Sequence, residues 1–167
     1  MKKFIALISS VAVVSLASIS TANAQSLISD GNYTLSGTLA LSQTVGAVCQ
    51  VDGDLLVVGG TGVITNVTFT GPSPCGSPVS PLSSTWYLIS TGSGSASVWA
   101  NANAVFGACD GWTNNTSITT TPNQIVFSNA KLAGYLYSSG NPPRDCYVDG
   151  TLTVTNSDTP TKVLQAL

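Results

Sequence analysis

The sequence predicts an all-β protein, a single disulfide-stapled antiparallel β-sandwich or β-barrel of many short strands. Apolar residues alternate with polar ones along most of the chain after residue 30, as in strands with one buried face. Glycine, proline and asparagine separate these runs at close spacing, and no segment after residue 24 keeps a helical period. The chain also contains four cysteines: Cys49, Cys75, Cys109 and Cys146.

The first predicted strand shows the alternation most clearly. Tyr33, Leu35, Gly37, Leu39 and Leu41 take one parity, while the Thr, Ser and Ala residues between them take the other. Further strands are predicted over 48–58, 63–70, 85–90, 96–100, 117–121, 124–128, 131–137 and 146–155. Many short strands joined by close turns are typical of a sandwich or a barrel.

The predicted turns have suitable chemistry. The run 59–62, Gly-Gly-Thr-Gly, supplies the positive backbone dihedrals of a tight hairpin. The prolines in 71–74 and 141–143 exclude these segments from central strands, because proline lacks the ladder donor.

Residues 1–24 have the features of a cleaved secretory signal peptide. Lys2 and Lys3 precede the apolar stretch 4–19, and Ala22-Asn23-Ala24 gives the small-x-small pattern before Gln25. We therefore expect residues 25–156 to form a single β domain and residues 157–167 a C-terminal tail. The expected product is secreted and keeps no transmembrane anchor after cleavage.

Composition argues against an enzyme. The chain has no histidine and no glutamate, which removes the usual general base and most zinc-ligand sets. Without residues 1–24, three cations face seven aspartates, a net charge of −4 that disfavours nucleic acid and anionic membranes. We expect no catalytic residues and no cofactor; a hydrolase using an aspartate pair is the remaining enzymatic alternative.

Two disulfides are expected of four cysteines in an exported chain, and three pairings are possible. A hairpin folded about Gly60 and Thr61 puts Cys49 opposite roughly residue 72, within a short loop of Cys75. This favours Cys49–Cys75 together with Cys109–Cys146. A metal-thiolate site is disfavoured because no C-x-x-C pair and no histidine are present.

Two segments of the chain echo each other. Residues 49–57 and 146–154 share Cys, Val, Asp, Gly, Leu and Val at equal spacing. A glycine within a strand commonly marks a bulge, so the echo predicts a repeated strand-bulge-strand element.

The aspartates on and near these segments raise a weak calcium hypothesis, because hard cations prefer oxygen ligands. The candidates are Asp52, Asp54, Asp145 and Asp149, although their spacing matches no EF-hand loop.

The tryptophans divide by their surroundings. Trp86 and Trp99 lie in apolar runs and are expected in the core, whereas Trp112 follows Asp110-Gly111 in a polar stretch. We expect Trp112 to be an exposed contact residue, suited to stacking on a sugar or adhering to a surface.

Several of these runs also carry a family resemblance. Residues 125–132, 146–154, the step from Phe69 to Cys75, and 79–86 resemble the PraA/PraB group of small secreted bacterial proteins that activate alkane oxidation. The resemblance spans most of the chain after residue 24 but transfers no catalytic residue. It implies an accessory protein outside a bacterial cell that helps the cell to use poorly soluble hydrocarbons.

Composition predicts a non-enzymatic protein of the cell exterior, and the resemblance implies for it a hydrocarbon-interface or surface-matrix role. Its expected partners are an oil surface, extracellular matrix components or further copies of itself. The structural alternative is a subunit or adhesin of an extracellular filament or biofilm matrix, assembled by exchange of the strand 33–41.

Overall fold

The computed structural model describes residues 29–43, 45–92, 94–105, 107–120, 123–135 and 145–157. All regular secondary structure in these residues is β, which confirms the predicted fold class. The strands are β1 (Gly31–Ser42), β2 (Gly46–Val58), β3 (Thr61–Thr70), β4 (Ser80–Pro81), β5 (Trp86–Gly92), β6 (Ser95–Ala104), β7 (Gly107–Trp112), β8 (Thr116–Thr120), β9 (Asn123–Tyr135) and β10 (Cys146–Asn156). The predicted signal peptide and residues 158–167 of the predicted tail lie outside the described residues.

The strands form one antiparallel sheet that closes on itself. Its order is β10-β1-β2-β3-β5-β6-β7-β9, and β9 pairs in turn with β10. The short strand β4 pairs with β6 beyond the end of β5, and β8 continues β7 in the gap between β6 and β9. Of the two predicted architectures, the structure is therefore a barrel and not a sandwich of two separate sheets.

The hairpin between β2 and β3 forms at the predicted glycines. Gly59 and Gly60 have φ values of 58° and 79°, and Val58 pairs with Thr61 across them. Positive φ at both central residues matches the right-handed twist of the flanking strands. This turn fixes the register as far as Asp54 opposite Thr65, and a bulge beyond that pair shifts the pairing by one residue, so that Gln50 lies opposite Thr70.

Two strand predictions were wrong. The segments 124–128 and 131–137 were predicted as separate strands, but β9 continues from the first into the second because Asn129 accommodates a bulge at φ 49°. Residues 136–137 of the second segment lie outside the described residues. The Asn129 backbone N–H donates a hydrogen bond to the Asp149 carboxylate at 2.6 Å, which stabilises this local conformation. Strand β7 was not predicted, since Gly107 and Gly111 interrupt its apolar alternation.

The barrel interior is filled by the inward-facing side chains of the long strands. The largest include Tyr33, Leu55, Leu88, Ile125 and Leu152, none of which is more than 2% exposed. No helix among the described residues is long and apolar enough to cross a membrane.

Candidate interaction surface

An apolar row crosses the outside of the barrel over five consecutive strands. In the β-ladder register, Leu56 pairs with Val63, Val63 with Tyr87, Tyr87 with Trp99, and Trp99 with Trp112. Directly paired residues point to the same side of a sheet, so these five side chains are neighbours. We call them the apolar row.

The apolar row points away from the core. Leu56, Tyr87 and Trp112 are 47%, 42% and 48% exposed, and Val63 and Trp99 are half-buried beside them. The rings of Tyr87 and Trp99 lie 5.7 Å apart between centroids, at a tilt of 51°. This contact accounts for part of the burial of Trp99.

Two further side chains extend the apolar row along its strands. Val58, two residues after Leu56, is 63% exposed, and Ile89, two residues after Tyr87, is half-buried. We call the apolar row together with Val58 and Ile89 the apolar face. Contiguous exposed apolar surface of this kind commonly marks an interaction site.

Charge is almost absent from this side of the barrel. Residues 55–109 contain no Asp, Glu, Lys, Arg or His. These residues include β3, β4, β5 and β6, which carry most of the apolar face. Asp110, two residues before Trp112 on β7, brings one carboxylate to its edge; it is half-buried, and its Oδ1 makes no hydrogen bond to the described residues.

Most of the other charged side chains among the described residues lie on β2, β9 and β10 and just before β10. They are Asp52, Asp54, Lys131, Asp145 and Asp149, which we call the charged face. Asp30, just before β1, lies elsewhere: its carboxylate accepts a hydrogen bond from the Gly59 backbone N–H at 2.8 Å, next to Val58 of the apolar face. In the closed sheet β10, β1 and β2 are consecutive, so most of this charge is turned away from β5 and β6. The two faces meet on β2, where Asp52 and Asp54 precede Leu56 and Val58.

The structure does not bring the four calcium candidates together. Asp52 accepts hydrogen bonds from Ser36 and Gln50 at 2.7 and 3.2 Å, and Asp54 accepts one from Asn66 at 2.8 Å. No group of three or more metal-ligating side chains occurs among the described residues. The geometry thus gives the calcium hypothesis no support.

The other two candidates have partners of their own. Asp149 accepts a hydrogen bond from the Asn129 backbone N–H, and Asp145 forms an exposed ion pair with Lys131 at 2.6 Å. The hydrogen bond and the charge of Asp145 raise the pKa of Lys131 above its usual value.

The two disulfides are the pairs that the sequence favours. Cys49 is bonded to Cys75 and Cys109 to Cys146, with Cα–Cα distances of 5.6 and 6.0 Å. Cys49–Cys75 fastens the segment after β3 to β2. Cys109–Cys146 is fully buried and joins β7 to β10, the two strands that flank β9.

The three tryptophans occupy different environments. Trp86 is buried as expected, and its ring packs edge-on against Phe69 with 5.9 Å between the ring centroids. Its indole N–H donates a hydrogen bond to the backbone carbonyl of Asn101. The expectation of a core position was wrong for Trp99, which faces outward because Val98 and Ala100 take the inward positions of β6. Trp112 is exposed, as expected.

Among the described residues, little free space remains inside the barrel. Its apolar cavity, lined by Phe69, Trp86 and Leu132 among others, measures about 30 Å³. That is roughly the volume of one water molecule. A hydrocarbon chain does not fit in it.

Each echoed segment lies beside a bulge, but the extra residue is in the partner strand, β3 or β9, and not in the echoed strand where the sequence predicted it. The β2–β3 register shifts between Asp52 and Asp54, and the β10–β9 register shifts between Val148 and Gly150. In each case the partner strand has an asparagine at positive φ. Asn66 donates a hydrogen bond from its side-chain amide to Asp54, and Asn129 donates one from its backbone N–H to Asp149.

Sequence reasoning missed the apolar row. Its members lie in five strands, and only the pairing register shows that Tyr87, Trp99 and Trp112 are adjacent. One signal was available in the sequence, the absence of charge from residues 55–109. Such a run would have located the uncharged side of the barrel but not the row.

Fold and surface together define a class: a small, disulfide-bonded, closed β protein with an uncharged apolar face. Within that class, the chain belongs to the alkane oxidation protein activator PraA/PraB-like family, whose model matches residues 1–161. The match confirms the resemblance found in the sequence. No curated protein and no solved structure matches the chain.

Proposed function

We propose that the protein is a non-enzymatic accessory of alkane oxidation that acts outside the cell, at the boundary between hydrocarbon and water. The observation that carries this proposal is the filled interior. Because the cavity is about the size of one water molecule, apolar partners must be met on the outer surface. Family membership supplies the link to alkanes.

The covalent structure supports a role outside the cell. Both disulfides would be rare in a reducing cytosol but persist in exported proteins. Residues 1–24 have the pattern of a secretory signal, and the two features agree.

The first experiment measures the interfacial tension of hexadecane against the oxidised protein, purified after export from an expression host. We expect the tension to fall while circular dichroism of the adsorbed protein keeps its β signal. Gas chromatography should find the hexadecane unchanged. An oxidised or cleaved product would contradict the non-enzymatic role, and an unchanged tension would contradict the interfacial one.

The filament alternative makes a different demand on the structure. Strand β1 is hydrogen-bonded to β10 on one edge and to β2 on the other. Exchange of β1 between subunits would therefore require it to leave both neighbours. Size-exclusion chromatography and negative-stain images test this: ordered polymers from a protein inert at the oil surface would favour the filament over the interfacial role.

A further inference from the structure

We propose that the protein adsorbs to liquid hydrocarbon in one orientation, with the apolar face on the oil and the charged face toward water. This inference rests on the proposed interfacial function and names the surface that performs it. The occupant of the apolar face is the hydrocarbon surface itself, and the adsorbed layer gives the droplet a negative charge.

The dimensions of the apolar row suit an extended partner. The row spans five strands, and four inter-strand steps of about 4.8 Å give it a length of roughly 19 Å along the sheet. It lies on the convex outside of a closed barrel without an internal binding cavity of useful size. A surface of this shape contacts a liquid boundary more readily than it encloses a single dissolved molecule.

The chemistry of the face favours hydrocarbon over sugar. Sugar sites combine a flat aromatic ring with placed polar groups that fix the hydroxyls. Here Tyr87 and Trp99 are tilted by 51° against each other, and the row continues through the aliphatic side chains of Val63 and Leu56. Val58 and Ile89 add further aliphatic surface beside it.

The distribution of charge gives the orientation. An oil surface offers no compensation for a desolvated carboxylate, so ionised side chains must stay in water. The uncharged run 55–109 meets this condition for β3 to β6 and for the end of β2 that carries Leu56 and Val58. Asp149 lies on β10, away from the apolar face, while Asp54 on β2 and Asp110 on β7 lie at its border. With these carboxylates toward water, the coated droplets repel one another.

The test uses hexadecane droplets and two matched double variants. Leu56→Thr with Tyr87→Thr removes one aliphatic side chain and one tyrosine from the apolar face. Val48→Thr with Tyr147→Thr removes the same types from other outward positions, where they are 62% and 37% exposed. Threonine is well tolerated in strands, and urea unfolding verifies that both variants remain folded.

We expect the apolar-face variant to need on the order of tenfold more protein to coat the droplets, because two apolar contacts are lost. The control variant should change this concentration less than about twofold. If both variants, or only the control, weaken adsorption, the proposed surface is wrong while the interfacial function stands. If the wild-type protein does not adsorb at all, the function itself fails.

A second readout tests the orientation independently. Asp52→Asn, Asp54→Asn and Asp149→Asn together keep the hydrogen-bond acceptors but remove three charges. We expect coated droplets to lose electrophoretic mobility with an unchanged adsorption isotherm. Unchanged mobility would contradict the proposed orientation. The apolar face would be a dimer interface if the wild-type protein formed dimers that disappear in the apolar-face variant. It would be a carbohydrate-binding surface if the protein were retained on insoluble polysaccharide but not on oil.

Discussion

The uncharged half of the barrel, β3 to β6, and the half formed by β9, β10, β1 and β2 share one hydrogen-bonded framework but differ in their outward residues. The inward-facing side chains of both halves are apolar and fill a common core. Outward positions include Val63, Tyr87 and Trp99 in the first half and Asp149, Lys131 and Asp52 in the second, where the end of β2 also carries Leu56 and Val58 of the apolar face. The alternation of a strand sets its two faces independently, so one barrel supports two chemically different surfaces.

The halves also differ in how closely their strands approach. A Cβ on Gly37 in β1 would clash with the Thr151 carbonyl of β10, and one on Gly150 would clash with the Thr38 carbonyl. The β1–β10 pair therefore depends on two glycines. In the uncharged half, a Cβ on Gly62 would instead meet the side chains of Leu55 and Leu88.

The largest change in stability should come from a tryptophan inside the barrel, and the same substitution on the apolar face should change stability much less. Trp86→Ala should cost about 3–5 kcal/mol of unfolding free energy, because it leaves a cavity beside Phe69. Trp112→Ala should cost less than about 1 kcal/mol, because that side chain is already half in water. Urea denaturation measures both. Similar losses for the two would mean that Trp112 belongs to the core and not to the surface.

The second effect concerns the two disulfides. Loss of Cys109–Cys146, which joins β7 to β10 with a sequence separation of 37, should cost about 4 kcal/mol in the chain-entropy account. Loss of Cys49–Cys75, with a separation of 26, should cost about 3.5 kcal/mol. The double Cys→Ala variant of each bond, unfolded in urea, gives the two values. A markedly smaller cost for the buried bond would show that β7 and β10 are held by their ladders alone.

The third effect tests the close approach of β1 and β10. Gly37→Ala should destabilise the protein by about 2–3 kcal/mol, because the opposing atom is backbone and cannot rotate away. Gly46→Ala in β2 is the matched control, since the nearest atom to its Cβ is 3.9 Å away. The control should leave the urea midpoint unchanged or slightly raised. Equal destabilisation by both substitutions would contradict the proposed role of Gly37.

The smallest effect lies on the charged face. Asp145→Asn removes the ion pair with Lys131 and should shift the urea midpoint only slightly, because both side chains are exposed. The raised pKa of Lys131 means that the pair stabilises the folded state below the usual lysine value of 10.5, and that this contribution disappears as pH rises through the raised pKa. The difference between wild type and variant should also vanish in 1 M salt, where charges are screened. A difference that persists there would indicate a role other than electrostatic pairing.

Much of the fold could be predicted from local pattern. Residues of the two faces alternate over the nine positions from Tyr33 to Leu41. Gly59 and Gly60 adopt the positive φ values that the two central residues of a two-residue hairpin need. That hairpin also located Cys49 near Cys75. Strand β7 could not be found in the same way, because it gains its place from pairing with β6 and β9 and not from its own alternation.

The candidate surface was less accessible to prediction. Trp99 was expected in the core because it lies in the apolar run 96–100. Over the whole of β6, however, Ala and Val take one parity, whereas the parity of Trp99 is otherwise Ser and Asn. That longer alternation places Trp99 outward, and only the pairing register shows that it meets Tyr87 and Trp112 there.

The β class, the hairpin at Gly59-Gly60 and the absence of charge from residues 55–109 follow from the sequence alone, because each is encoded in neighbouring residues. Closure of the sheet through β9 and β10 and the position of the bulges in β3 and β9 depend on the tertiary structure, as does the adjacency of Leu56, Val63, Tyr87, Trp99 and Trp112. Strand register is set by hydrogen bonds between distant segments and by the packing of a shared core, neither of which a local pattern contains.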